Sequence, residues 1–462
     1  MSESVEKVSR ELLKKYDRPG PRYTSYPTAP EWSADFGPED YRKALRQVAA
    51  ENDPLSLYFH IPFCKERCRY CGCTTVITQN SDRVEKYLAH LDREMELTAS
   101  HFPIRKRVMQ MHWGGGTPTH LTLTQIERLH RSIADRFELD PGGETAIEVD
   151  PRVTSHEQLR LLRSLGFNRI SLGVQDLTPK VQEAIGRNQT AEETVALFNY
   201  CREIGFTGIN VDLIYGLPYQ TVENFAATIA EVIRLGADRV AVYSFAYLPD
   251  LRPHQRLILP GWLPSAEMKY DLFATAVDKF LEGGYVQIGM DHFARPTDEL
   301  ARALEKGRLY RNFMGYTTRS TRDSIGFGMS AIGELAHTFT QNLSRLDAYG
   351  AAIESGRLAT YRGWRLSPDD RIRQQAILSL MCNFVLHFDD MDARFQIVSR
   401  EYFGPELGEL QTFIDDGLLT VDDDRVTVLP KGRIFVRNIA MVFDAYLKKD
   451  GKEGGPVFSR TI

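Results

Sequence analysis

From residue 55 to residue 247, short apolar runs alternate with longer amphipathic ones. The runs at 55–61, 108–113, 146–149, 169–174, 209–215 and 239–247 are rich in β-branched and aromatic residues and read as strands. Between them the apolar positions take a helical period. The clearest case is Val84, Tyr87, Leu88, Leu91 and Met95, which share one helix face, with Asp82 and Glu85 placed as a capping box. Further helices are predicted over 124–137, 155–165, 191–204 and 222–235. Six βα units in succession call for parallel strands with right-handed crossovers, hence an α/β fold that is either a barrel or an open doubly wound sheet. Polar and glycine-rich residues gather just after the strands, at the end where both arrangements bind ligands.

The flanks differ in kind. Residues 1–54 contain Arg18-Pro-Gly-Pro-Arg22-Tyr-Thr-Ser-Tyr-Pro27, whose three prolines preclude a regular helix. With Tyr23 and Tyr26 beside an arginine, an extended, ordered N-terminal arm is predicted rather than a flexible spacer. Beyond residue 366 the pattern gives helices over 368–387 and 405–415, a hairpin from 418–421 and 425–429 across an acidic turn, and a last helix over 433–447. That order resembles a winged-helix module. Its acidic turn and few basic residues favour a structural or lid role over DNA binding. The expected division is an arm at 1–54, a core with a following loop region at 55–365, and a mostly helical C-terminal domain at 366–462.

Composition narrows the class. Hydrophobic residues make up 42% of the 462 positions and charged ones 26%, ordinary soluble usage with ample material for a core. The net charge of −5 gives no pull towards nucleic acid or an anionic membrane, so an anionic ligand must be held by local Arg or Lys. The first twenty residues mix both charge signs without a signal-peptide pattern, and no apolar run reaches the ~18 residues of a membrane span, so a cytoplasmic protein is expected.

Four of the six cysteines, Cys64, Cys68, Cys71 and Cys73, fall within ten residues; Cys201 and Cys382 stand alone in helical stretches and read as buried structural thiols. The first three have the spacing C-x3-C-x2-C directly after the first strand, which delivers three thiolates to one point. Soft sulfur ligands suit an iron–sulfur cluster or zinc. Three ligands on a four-iron cube leave one iron open to a small molecule. Zinc normally draws on a second knuckle, which is missing here, although Cys73 could complete a four-cysteine site.

With an aromatic, Tyr70, before the third cysteine and Gly114-Gly-Gly116-Thr117-Pro118 ending the second strand, the chain resembles the radical S-adenosylmethionine (SAM) superfamily. Nearly its whole length is similar to the oxygen-independent coproporphyrinogen III oxidases. The matching segments are the proline-rich arm, Tyr58-Phe-His60-Ile-Pro-Phe-Cys64, Ile147-Glu-Val-Asp-Pro151, Ser171-Leu-Gly-Val-Gln-Asp176, 210–218, 290–295 and 311–317. The resemblance implies a partial (β/α)6 TIM-like barrel of the radical SAM type, with a [4Fe-4S] cluster on Cys64, Cys68 and Cys71. It further implies that Tyr58, Gly115, Glu148 and Ile332 hold one SAM, and that Tyr70, Gly116, Thr117, Gln175, Arg187, Asp212 and Ala246 form a second SAM site. Independently of the resemblance, Glu148, Gln175 and Asp212 are polar residues at strand ends, where ribose hydroxyls would use them. Arg187 alone reads as a solvated or helix-terminal charge. His60 shares a strand face with Tyr58 and sits four residues before a cluster ligand, placed to tune or cover it.

The implied reaction uses an electron from a donor such as flavodoxin or ferredoxin to cleave SAM to a 5′-deoxyadenosyl radical. That radical abstracts a β-hydrogen from a substrate propionate, and loss of carbon dioxide and one electron leaves a vinyl group. Two propionates of coproporphyrinogen III react, giving protoporphyrinogen IX, on a protein expected to be monomeric. Four substrate carboxylates need cations, for which Arg22 on the arm is the leading candidate, followed by Arg311, and by Arg319 and Arg322, which read equally as solvated loop charges. The alternative is a haem-binding, chaperone-like paralogue, but its H-N-x-x-Y-W segment is here Arg311-Asn-Phe-Met-Gly-Tyr316. A third reading is a zinc-stabilised scaffold without chemistry.

Overall fold

The computed structural model describes residues 8–319, 321–449 and 458–461, so the first seven residues of the expected arm, Ser320 and nine residues near the C-terminus lie outside it. Its core is built on six strands, β1 (Leu55–Ile61), β2 (Arg107–Gly115), β3 (Glu138–Val149), β4 (Arg169–Gln175), β5 (Gly208–Tyr215) and β6 (Arg239–Ser244). Each pairs in parallel with the next. Their buried positions, such as Phe59, Trp113, Ile147, Leu172, Leu213 and Val242, pack against the crossover helices in one large core.

The helices begin where side-chain caps dictate. Thr122 with Gln125, Ser155 with Gln158, Thr190 with Glu193 and Thr221 with Asn224 form reciprocal capping boxes at four of the helix starts. The helix between β1 and β2, Ser81–Ala99, departs from expectation. Asn80, not Asp82, is its cap, because Asn80 Oδ1 accepts from the amides of Asp82 and Arg83, while Glu85 accepts instead from Gln125 and Arg128 of the neighbouring helix.

The sheet is a partial barrel. A seventh parallel strand, β7 (Asp323–Phe327), adds to the free side of β1, and antiparallel strands extend both edges into a twelve-stranded sheet whose end strands, Thr360–Arg365 and Val286–Gly289, do not pair with each other. Gln110 of β2, Ser171 of β4 and Tyr243 of β6 nonetheless line one internal cavity, so the sheet curls. The hairpin Tyr310–Asn312 and Gly315–Thr317 closes that cavity from the far side, with Asn312, Met314 and Tyr316 turned into it.

The arm and the C-terminal region pack together as a second core. Tyr16 stacks on Phe413 at 4.9 Å, Tyr23 and Tyr26 are almost wholly buried, and the Tyr23 hydroxyl donates to Asp444 at 2.9 Å. The C-terminal region has a helix at Pro368–Asn383 and a three-stranded sheet whose first strand is Val385–His387. The pattern predicts one helix to 387, but Phe384 takes a left-handed φ of 59° and releases the next three residues to pair with Arg425–Val428. Likewise the stretch expected as one helix over 433–447 is broken into short turns at Pro430–Phe435, Val436–Ala440, Met441–Phe443 and Ala445–Lys449. No helix of the described residues is long and apolar enough to cross a membrane.

Candidate active site

At the C-terminal ends of the strands lies a cavity of about 790 Å³. Its wall begins with the loop after β1. Phe63–Cys64 pairs in parallel with Val76–Ile77, a two-stranded clasp that folds the intervening residues back on themselves and gathers Cys64, Cys68 and Cys71 on the cavity wall. The Cys71 amide donates to the Cys68 carbonyl at 3.2 Å, and His254 and Gln255 bond the carbonyls of Cys71 and Tyr70 at 2.7 and 3.0 Å. Glycines bring β2 against this loop. Gly116 donates to Ile61 at 2.8 Å and a Cβ on it would meet Pro62 backbone at 2.6 Å; Gly115 has a φ of +111° and would meet the His60 ring. Thr117 then donates its amide to Phe63 at 2.9 Å and sets its hydroxyl 3.5 Å from Cys64 Sγ.

The thiols are not equivalent. Burial pushes Cys64 up to about 11. A hydrogen bond shared with Cys73 pulls Cys71 below its ordinary value and Cys73 above it. Cys68 faces two guanidinium groups, with Arg187 at 3.5 Å and Arg152 at 3.6 Å from its sulfur. Cys201 and Cys382 are buried in helices far along the chain, as expected of structural thiols.

Opposite the cysteines stand the polar strand ends. Glu148 accepts from His112 at 3.1 Å and from the Gly115 amide at 3.0 Å; burial works to raise it, but those donors hold it below the ordinary carboxylate range. Asp212 accepts from Ser171 and Asn210 at 2.9 and 2.8 Å, and burial, reinforced by Glu148, lifts it to about 6. Gln175 ends β4 with a left-handed φ of 70°, an uncommon conformation for a non-glycine residue that turns up at functional sites.

The cavity thus brings together Cys64, Cys68, Cys71, Tyr70, Gly115, Gly116, Thr117, Glu148, Gln175, Arg187, Asp212 and Ala246. Tyr58 and His60 stand just behind its wall. Their side chains bond each other at 3.1 Å, His60 also meets the Thr74 carbonyl at 2.9 Å, and Tyr58 stacks on His112 at 5.9 Å. Ile332 is not on this wall; it packs with the aromatic cluster of Trp32 and Phe339. Arg187, which its local sequence reads as a surface charge, is 5% exposed and held by Gly173, Gln189 and Asp150. The reason is tertiary: the turn after Pro179–Ala184 folds it back under Tyr70.

The arginines proposed from sequence for anions separate. Arg22 sits against Asp291 at 2.7 Å with Tyr243, a cavity residue, 5.7 Å from its guanidinium. Arg311 is 4% exposed, donates to the Arg22 carbonyl and leaves its Nε without a partner. Arg319 and Arg322 do not reach the site. They precede β7, which begins beside Leu55, so they lie at the opposite end of the barrel, where Arg322 pairs with Glu51 at 3.0 Å. Sequence reasoning missed His112 and Arg152. His112 carried a signal, since strand alternation puts it on the inner face with Gln110 and Gly114.

The donor set suits an iron–sulfur cube. Three thiols from one short loop face a roomy cavity, and two cations offset the charge of sulfur ligands. Among the described residues no group of three His, Cys, Asp or Glu side chains is arranged to hold a single metal ion.

A curled parallel sheet with three cysteines after its first strand and a glycine turn after its second defines the class, and a family model described as the radical SAM superfamily matches residues 58–232. A second, the HemN C-terminal domain, matches residues 366–435. Oxygen-independent coproporphyrinogen III oxidases from Pseudomonas aeruginosa and Escherichia coli are each 43% identical, with 98% of this chain and 98% of the relative covered; that of Helicobacter pylori strain J99 is 37% identical over 99% and 100%. The solved structure of coproporphyrinogen III oxidase (HemN) from Escherichia coli, described as a radical SAM enzyme, superposes with a TM-score of 0.91 at 42% identity, covering 96% of this chain and all of that one. The chain belongs to the family of oxygen-independent coproporphyrinogen III oxidases. Its cofactors are those of the radical SAM superfamily, a [4Fe-4S] cluster and SAM.

Proposed function

We propose that the chain converts two propionate side chains of coproporphyrinogen III to vinyl groups without oxygen, giving protoporphyrinogen IX in haem biosynthesis. The observation that carries this reading is the single cavity that unites three thiols of one loop with Glu148, Gln175 and Asp212 from three strand ends. Cys64, Cys68 and Cys71 hold the cluster. Tyr58, Gly115 and Glu148 serve the first SAM, and Tyr70, Gly116, Thr117, Gln175, Arg187, Asp212 and Ala246 a second.

Bound together, cluster and SAM supply a 5′-deoxyadenosyl radical, and the hard chemistry is theirs. The protein's part is placement and exclusion of water. Glu148, held anionic by His112 and the Gly115 amide, offers fixed acceptors for ribose hydroxyls or an amino group. His60, saturated by Tyr58 and the Thr74 carbonyl, braces the wall that Gly115 leans on.

For the substrate carboxylates the best-placed cations are Arg22 and Arg311. Arg22, with His292, holds Asp291 ionised against burial, and Arg311 and Arg437 feel the same acid. Two buried cations, Arg311 and Arg437, and the half-buried Arg22 outnumber that one carboxylate and leave a surplus that anionic propionates would match. A reduced flavodoxin or ferredoxin supplies the electron, to a chain acting as a monomer in the cytoplasm.

The test is an anaerobic assay with a reconstituted cluster, SAM, a reductant and coproporphyrinogen III, following 5′-deoxyadenosine and protoporphyrin. The wild-type protein yields both. Arg22→Ala keeps the first and loses the second; unchanged turnover in that variant refutes its role, and failure of wild-type protein to form protoporphyrin refutes the function.

A further inference from the structure

The three thiols that face the cavity have unlike surroundings. Cys64 has a threonine hydroxyl at 3.5 Å, and Cys71 has its neighbour Cys73. Cys68, by contrast, lies under two guanidinium groups, Arg187 Nη1 at 3.5 Å and Arg152 Nη2 at 3.6 Å. Both arginines are fixed by one acid. Asp150 binds Arg152 through Nη2 at 2.6 Å and Nε at 3.0 Å, binds Arg187 Nη2 at 3.2 Å, and accepts the Arg152 amide at 3.1 Å. Arg152 also donates through Nη1 to the Arg187 carbonyl at 2.7 Å, so its fork cannot swing away without breaking two anchors. Two cations and one carboxylate leave one net positive charge aimed at one sulfur. Nothing in the reading of SAM contacts accounts for Arg152, which sits at a turn three residues beyond the end of β3 with only 18% of its side chain exposed.

The geometry points to Arg152 as a positioning residue that sets the reduction potential of the cluster through Cys68. This rests on Cys68 being a cluster ligand. Each thiolate ligand carries negative charge and reduction adds another, so a cation hydrogen-bonded to a ligand sulfur favours the reduced form. Charge-assisted N–H donors are the stronger kind, and those of Arg152 are held ready by Asp150. Arg152 therefore eases entry of the electron, and Asp150 keeps its guanidinium from drifting to solvent.

The experiment compares full-length, anaerobically reconstituted wild-type, Arg152→Gln and Arg152→Lys proteins without SAM, counting iron and sulfide and titrating the cluster's midpoint potential by electron paramagnetic resonance. Arg152→Gln holds the wild-type iron content, while its equilibrium constant for one-electron reduction falls about tenfold, a shift of ~59 mV to more negative potential. Arg152→Lys, with the charge but not the fork, falls between. A fully loaded Arg152→Gln protein with the wild-type potential overturns the inference. Should Arg152→Gln load poorly, Arg152→Lys decides: a negative shift supports the assignment and an unmoved potential overturns it. Cys68→Ala separates the two claims, because a full cube retained there removes Cys68 as a ligand and the inference with it.

Discussion

The two ends of the barrel use the same charged residue types to opposite ends. Inside the N-terminal end, Arg169 pairs with Glu144 at 2.7 Å and with Glu299, and Arg239 pairs with Asp298 and Glu299, each at 3.0 Å. Two cations meet three acids, and every charge is answered by another protein charge. At the mouth, Arg152 and Arg187 share only Asp150 and turn the remainder of their donors on Cys68, while Glu148 and Asp212 find no cation and accept from neutral groups and His112. A saturated network holds a fold together; an unsaturated one, facing a cavity, is waiting for a ligand. Each end has two arginines and three acids, so the distinction is one of pairing rather than of residue type or number.

Removing a sulfur strikes the unsaturated end hardest. Cys68→Ala abolishes SAM cleavage, a fall of more than ~10³-fold on the scale of enzymatic accelerations, measured as 5′-deoxyadenosine per chain. At the saturated end the loss is of stability instead. Arg169→Met strands Glu144 in a buried site and costs about 3–5 kcal/mol in denaturant unfolding, with the cluster potential unchanged. A moved potential there would blur the contrast between the two ends.

Glu94 sharpens the comparison as an acid with no cation at all. It accepts from the Gly328 amide, Tyr349 and Asn342, and burial lifts it to about 7. With its folded value raised, the carboxyl's favourable contribution is whole below the ordinary carboxylate range and is lost as pH rises through about 7. Glu94→Gln therefore gains on the wild type by on the order of 3 kcal/mol between about pH 5 and about pH 8, read from unfolding free energies. A pH-independent difference would contradict the shift. The smallest effect falls on Glu148, where Glu148→Gln weakens SAM binding by about 10- to 100-fold, the worth of a hydrogen bond to a charged acceptor, as measured by calorimetry.

Much of this was legible along the chain because the signals were local. Strands such as β1 and β5 place apolar residues at alternate buried positions, and C-x3-C-x2-C names its own chemistry. Glu148, Gln175 and Asp212 stood out as polar residues where strands end. What escaped depended on contacts far apart in sequence. Arg187 looks like a solvated charge until the fold lays it under Tyr70, and Arg152 has no local pattern, since its target sulfur is 84 residues away. The strand β7 alternates buried and half-buried positions over only five residues, Asp-Ser-Ile-Gly-Phe, too short to be told from a loop without β1 beside it. Arg322 misled because a loop's sequence does not say at which end of a barrel it lies.

Radical formation depends on the cysteine loop holding a cube with one corner open to SAM. The direct measurement is the electron paramagnetic resonance spectrum of the reduced, reconstituted protein before and after SAM is added, in wild type and Cys73→Ser. The account predicts about four irons per chain in both and a spectrum that changes on SAM addition in both. A spectrum indifferent to SAM, or a cluster lost with Cys73, would contradict it.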